Sequence, residues 1–162
     1  RHLQEASPAT LIATAKAIDP EMIARIERHK AERPAHIQTL ETNTGIGPEL
    51  RALSGGMALI ECMGTWVTNR MWDLGLDFDD PGKEQADQVY QTILCEARDI
   101  LDSASASEAE VWLVTNEVGW GLMPQNPIGR LFTDTLGRVN QMIAQAAGEV
   151  YLVCSSIPIR IK

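Results

Sequence analysis

The hydrophobic positions of this chain fall into short continuous runs, separated by longer stretches with a helical rhythm. "TLIATA" (10–15), "MALIEC" (57–62) and "EVWLVT" (110–115) are apolar nearly throughout rather than alternating, which marks strands buried on both faces. "EVYLVCSSIPIRIK" closes the chain with one strand or two. Asp19-Pro20-Glu21 is a helix start: an N-cap aspartate, a proline in the first turn and an early acid. That helix is predicted to run to about Arg33 and to end before Pro34. Met22, Ile26 and His29 recur along it at i, i+4 and i+7, so His29 is expected on its apolar stripe, with Arg25 and Arg28 to one side. "WVTNRMW" opens the next helix, and residues 71–83 read as an exposed excursion. Residues 84–104 are an amphipathic helix with Val89, Ile93, Ala97 and Ile100 on one face. Residues 128–147 form a last helix with Ile128, Leu131, Phe132, Val139, Met142 and Ile143 inward. Strands alternating with helices predict an α/β fold, a parallel sheet with helices on both faces, as one domain over residues 1–162. Ligands of such sheets bind at the carboxyl ends of the strands, where "ATAK", "ECMGT" and "TNEVG" sit.

The length suits one domain with a sizeable core, and 44% hydrophobic with 22% charged residues is ordinary for a globular protein. The longest apolar runs are strand-length, so no membrane span is expected, and "RHLQEASPAT" lacks the apolar segment of a signal peptide. The three cysteines, Cys62, Cys95 and Cys154, are widely spaced with no CxxC pair, which fits reduced thiols in a cytoplasmic protein and argues against zinc. A net charge of −8 argues against nonspecific binding to nucleic acid or an anionic membrane. The charge is uneven. Asp73 to Glu110 holds eleven carboxylates against two cations, whereas Lys16 to Arg33 holds five cations against four carboxylates. A small anion, phosphate above all, would be drawn to the cationic opening stretch.

Within that stretch, "RIERHKAERPAH" (25–36) sets His29 among cations. Crowded positive charge favours the neutral imidazole, whose free lone pair can act as a nucleophile; the plainer alternative is a partly buried surface histidine. The surrounding motifs are more specific. "IATA", "DPEMIARIERHKAERPAHIQTLE", "LIECMGTWVTN", "LVTNEVGWGLMP" and "FTDTLGRVNQMIAQAAGEVYLV" occur in this order and cover most of the chain outside its acidic middle. Together they resemble the bifunctional adenosylcobinamide kinase/adenosylcobinamide-phosphate guanylyltransferase family of cobalamin biosynthesis.

The resemblance implies a P-loop nucleotide-binding fold of the RecA-like type in a homo-oligomer, typically a trimer. It implies two reactions on a corrinoid: phosphorylation of the aminopropanol hydroxyl of adenosylcobinamide, then transfer of GMP from GTP to that phosphate through a GMP-histidine intermediate. GTP and ATP are the implied nucleotide substrates and Mg²⁺ the implied cofactor. The family's nucleophilic histidine falls on His29. Its nucleotide-contacting stretches fall on Ala13, Thr14 and Ala15 and on Lys30, Ala31, Glu32 and Arg33, and its two nucleotide-contacting acids on Glu41, expected in a loop, and Glu61. Glu61 ends a buried strand, where an acid commonly holds Mg²⁺ directly or through water, or else caps the next turn. Asn116 and Glu117 either order the turn after the third strand or bind substrate. His2 and His36 read as surface histidines. Trp66 and Trp72 are expected to be exposed and to serve as subunit contacts. "TNEVG" is not a guanine-reading N-K-x-D motif.

One departure matters. The family opens with a strand and a GGxRSGKS-type P-loop, whose amides and lysine hold the β- and γ-phosphates, and no G-x-x-x-x-G-K-S/T occurs in these 162 residues. The expectation is a start missing ahead of residue 1 rather than a genuine loss, because the other site residues remain. The alternative is an impaired or inactive homologue that binds nucleotide or corrinoid, or only fills a place in an assembly. On the first reading the sheet lacks the strand preceding the P-loop, and some segment must fill the gap.

Overall fold

The computed structural model describes residues 8–162, so His2 lies outside the described residues. Four strands, β1 (Ala9–Ala13), β2 (Ile37–Glu41), β3 (Met57–Glu61) and β4 (Glu110–Leu113), make a sheet in the order β2-β1-β3-β4. Every pairing in it is parallel, as the continuous apolar runs require. Among the described residues five helices connect and cover it: α1 (Pro20–Ala31), α2 (Ile46–Arg51), α3 (Met63–Asp73), α4 (Lys83–Ala106) and α5 (Pro127–Ala146). The chain closes with β5 (Tyr151–Cys154) and β6 (Ile157–Arg160), an antiparallel pair that forms a sheet of its own. Ser155 and Ser156 turn that hairpin with φ of 50° and 65°, the left-handed pair whose twist matches two-residue hairpins. Trp112 of β4 and Tyr151 of β5 stack with ring centroids 6.2 Å apart, so the hairpin stands beside the sheet's end strand without joining it.

The two faces of the sheet differ in chemistry. Ile12, Ala58 and Ile60 point into a large core shared with Leu50 of α2, Met63, Trp66 and Val67 of α3, Val89, Ile93 and Ala97 of α4, and Leu136 and Val139 of α5. Ala9, Leu11, Ile37 and Leu59 point the other way into a small cluster. The apolar faces predicted for α4 and α5 are the ones that pack.

Several expectations are corrected. β2 went unread because only Ile37 in "IQTLE" is buried, so no continuous apolar run marks it. Glu41 is accordingly the last residue of a strand rather than part of a loop. Helix α1 begins as predicted, with Asp19 Oδ1 accepting from the Met22 amide at 2.7 Å, but it buries no residue. Met22 and Ile26 are half-buried, while His29 is exposed rather than seated on an apolar stripe. Trp66 is buried, not exposed, because its indole N–H reaches the Asn43 carbonyl at 3.0 Å. The 71–83 segment is only partly an excursion: α3 runs through Asp73, Leu76 is buried, and the exposed Trp72 stacks on Phe78 at 4.1 Å.

Gly56 leads into β3 with φ of +77°, and a Cβ there would run into the Pro8 carbonyl, which accepts the Met57 amide at 3.0 Å. Gly56→Ala is expected to destabilise the fold by about 2 kcal/mol. Gly82→Ala, in open space at φ −56°, should stay within about 0.5 kcal/mol. Urea unfolding of the two variants beside the native chain measures both.

Candidate active site

Strand β1 lies between β2 and β3, and the register sets Ala13 level with Glu41 on one side and Glu61 on the other. Side chains in register on neighbouring parallel strands share a face, so both carboxylates flank the Ala13 methyl group. Their Cα atoms are two strand spacings apart, about 10 Å. This is the face of Leu11 and Ile37, not that of the large core.

The C-terminal end of α1 lies over the same face. Lys30 Nζ sits 2.7 Å from Glu41 Oε1 and 3.5 Å from Glu27 Oε1, and Arg33 Nη1 donates to Thr39 Oγ1 at 2.7 Å. Donating to Glu41 raises the Lys30 pKa above the ordinary lysine value, which favours the charged ammonium. His29, in the last turn just before Lys30, is exposed and makes no hydrogen bond or ion pair among the described residues. Ala31 and Glu32 end the helix exposed, with the Glu32 amide donating to the Arg28 carbonyl at 3.1 Å.

Thr14 fixes the ends of β1 and β3 relative to each other. Its amide donates to the Glu61 carbonyl at 3.0 Å, and its buried Oγ1 lies 3.1 Å from that oxygen and 2.9 Å from the Cys62 carbonyl. Asn69, buried on α3, donates to the Thr14 carbonyl at 2.7 Å, and Ala15 follows half-buried. Cys62 caps α3 by accepting the Thr65 amide at 3.4 Å, and its thiol points to Asn116 Oδ1 at 3.8 Å. A Cβ on Gly64 would come within 2.6 Å of that same Asn116 oxygen, so the loop after β4 approaches α3 as closely as a glycine allows. Asn140 of α5 then holds this loop, donating to the Asn116 carbonyl at 2.9 Å and accepting from Thr115 Oγ1 at 2.6 Å. Asn116 therefore orders the turn, and Glu117 does so too by accepting the Gly119 amide at 2.6 Å.

A second network ties the loops after β1 and β2 to α3. Arg70, its side chain 10% exposed, makes a fork to Glu96 at 2.7 Å for both bonds and reaches Asp73 at 3.2 Å. Asp73 in turn accepts from Lys16 and, at 2.6 Å, from Asn43. Lys16 foremost, then Asn43 and Arg70, hold the Asp73 carboxyl below the ordinary carboxylate range.

The structure thus gathers Ala13, Thr14, Ala15, Lys30, Arg33, Glu41 and Glu61 at one end of the sheet, with His29 carried beside Lys30. Sequence reasoning missed Asn69, Arg70, Asp73 and Asn140. Asn69 and Asn140 stood in the quoted stretches "LIECMGTWVTN" and "FTDTLGRVNQ", each an amide in an otherwise apolar helix pattern. Among the described residues no three His, Cys, Asp or Glu side chains converge as a metal cage, and no helix is long and apolar enough to cross a membrane.

Because the Asp73 pKa is depressed on folding, its contribution is full above the unfolded value near 3.8 and is lost as pH falls through the lower folded value. Asp73→Asn should cost about 1 kcal/mol at pH 7, with the difference from the native chain shrinking below about pH 4, measured by chemical unfolding across pH.

The chain matches the model of the cobinamide kinase / cobinamide phosphate guanyltransferase family over residues 1–161. It is 39% identical over 160 residues to the bifunctional adenosylcobalamin biosynthesis protein CobU of Escherichia coli strain K12, covering 98% of this chain and 88% of that protein. The same identity and coverage hold for the CobU protein of Salmonella typhimurium strain LT2. The bifunctional adenosylcobalamin biosynthesis protein CobP of Pseudomonas aeruginosa is 33% identical over 153 residues, covering 93% of this chain and 80% of that protein. A parallel sheet with two glutamates level at its carboxyl end, a histidine-bearing helix over them, and this match along nearly every residue place the chain in the cobinamide kinase / cobinamide phosphate guanyltransferase family.

Proposed function

We propose that this chain, as a single nucleotide-binding domain, phosphorylates adenosylcobinamide and then transfers GMP from GTP to adenosylcobinamide phosphate, with His29 as the nucleophile. The observation that carries the reading is the placement of Glu41 and Glu61 level with Ala13, under the helix that bears His29 and Lys30. A neutral imidazole nitrogen of His29 forms a bond to the α-phosphorus of GTP, while the bond from that phosphorus to the β-phosphate bridging oxygen breaks. Pyrophosphate leaves and a phosphoramidate remains. The phosphate of adenosylcobinamide phosphate then attacks the same phosphorus, giving adenosylcobinamide-GDP and returning the histidine.

Transfer of this kind depends on positioning and on neutralising phosphate charge. Lys30 and Arg33 supply cations one and four residues after His29, and Lys30 exchanges its bond to Glu41 for one to phosphate when nucleotide arrives. The backbone of Ala13, Thr14 and Ala15 borders the nucleotide, and Ala31 and Glu32 follow it at the helix end. Hard carboxylate oxygens fit Mg²⁺, which is commonly held by one or two carboxylates together with substrate phosphates; Glu61 is the ligand proposed here. When bound, the ion neutralises charge on the phosphate oxygens. ATP or GTP is the phosphate donor of the kinase step. The family resemblance supports a homo-oligomer, a trimer, acting in the cytoplasm.

A second reading is an impaired homologue that binds nucleotide or corrinoid without turning it over. One experiment separates the two. Incubated with α-labelled GTP and Mg²⁺, the chain should acquire a covalent GMP that survives alkali and is lost in acid. His29→Ala should lower labelling at least about 100-fold without changing the thermal midpoint, since the side chain is exposed. Label retained by His29→Ala would show another nucleophile, and no label on the native chain would favour the impaired homologue.

Glu61→Gln keeps shape and removes one charge. It should raise the Mg²⁺ concentration for half-maximal labelling about tenfold or more while leaving stability within about 1 kcal/mol. A falling midpoint with normal labelling per folded molecule would make Glu61 a structural cap instead.

A further inference from the structure

The loop after β4 carries the largest exposed apolar side chains near the site. Trp120 is 78% exposed, Leu122 98% and Met123 79%. Such exposure normally accompanies a floppy segment, yet this loop is fastened at both ends. Its start is held by Asn140 on the Asn116 carbonyl, by Glu117 on the Gly119 amide, and by Val118, which packs against the core. Its end is held by Arg130, whose Nη1 donates to the Pro124 carbonyl at 3.1 Å and the Gln125 carbonyl at 2.6 Å, and by Asn126, which caps α5. A tethered loop that offers three large apolar tips to water is a surface awaiting a partner.

We infer that the Gly119–Pro124 loop is the docking surface for the corrin macrocycle, with Trp120 and Leu122 as its main contacts; this rests on the functional reading above. Three observations select that occupant. The first is place: the loop leaves the same carboxyl edge of the sheet, and Asn116 at its root lies 3.8 Å from the thiol of Cys62, the residue after Glu61. A ring held here presents its flexible aminopropanol arm to the carboxylate end of β3.

The second is size. The cavity between the loop and α5, lined by Leu122, Met123, Arg130, Thr133 and Asp134 among others, holds about 190 Å³. That is too little for a macrocycle but enough for one peripheral amide arm, so the ring must lie on the open apolar tips. The third is charge. An alkylcobinamide is a monocation, because cobalt(III) is only partly offset by the corrin anion and the alkyl carbanion. Glu117 and Asp134 border the loop, and with Arg130 committed to the Pro124 and Gln125 carbonyls the carboxylates of a chain of net charge −8 attract that cation.

The test is equilibrium dialysis of the native chain and a Trp120→Ala/Leu122→Ala variant against adenosylcobinamide, read by corrinoid absorbance. The variant should bind at least about tenfold more weakly at an unchanged thermal midpoint, and Trp120→Phe should stay within about threefold of the native chain. Equal binding by native and doubly substituted chains would overturn the inference. So would unchanged corrinoid affinity with a smaller mass by light scattering, which would assign the loop to contact between copies. A native chain that binds no corrinoid would overturn the functional reading itself, and this inference with it.

Discussion

The rest of the site depends on the register of β1 between its two parallel neighbours. Side chains along a strand alternate between faces, so a slip of one residue in β2 or β3 would carry Glu41 or Glu61 from the α1 side to the large apolar core. There a carboxylate would lie among side chains such as Met63, Trp66 and Leu136, with its charge unpaired. A slip of β3 would at the same time turn Ala58 and Ile60 out of that core. The hydrophobic pattern that builds the core thereby also aims the acids. Thr14 adds a local lock, since its amide and hydroxyl both engage the carbonyls that follow Ile60.

Much of this was legible from the chain, for reasons that can be traced. Strands β1, β3 and β4 announce themselves because a strand between covered faces must be apolar along its length, and α4 and α5 because each buries a single periodic stripe. Strand β2 was hidden because Ile37 alone among its five residues is buried. The start of α1 was readable from Asp19 and Pro20, but its orientation was not. Periodicity assumes that an apolar stripe finds an apolar partner, and here the strand beneath offers Thr39 and Glu41. Trp66 misled for a related reason: an indole can be buried once its N–H has an acceptor, and Asn43, 23 residues away, supplies one.

The candidate residues that motifs pointed to, His29 and Glu61 among them, were visible in the sequence as candidates. Their supports were not. Asn69 reaches Thr14 across 55 residues of chain, Lys16 reaches Asp73 across 57, and Asn140 reaches Asn116 across 24. Nothing local in a sequence marks such pairings, because the topology that creates them must be known first. The unequal faces of the sheet follow the same division. The face rich in hydrophobic signal is the one that stabilises the fold, and the face with weak signal is the one on which Glu41 and Glu61 stand.

Asp73 is one acceptor shared by three donors, Lys16, Asn43 and Arg70, drawn from three separate segments. A change at any one of them alters what the others are worth, so single substitutions among these positions will not add, and double-mutant cycles should give coupling energies of either sign. In descendants of this chain the four positions are then not free to drift independently. Loss of the Asp73 carboxylate removes the reason for Lys16 to be basic and leaves Arg70 to lean on Glu96 alone, so a replacement tolerated in one background becomes costly in another. A constraint on folding becomes in this way a constraint on the order in which mutations can be accepted.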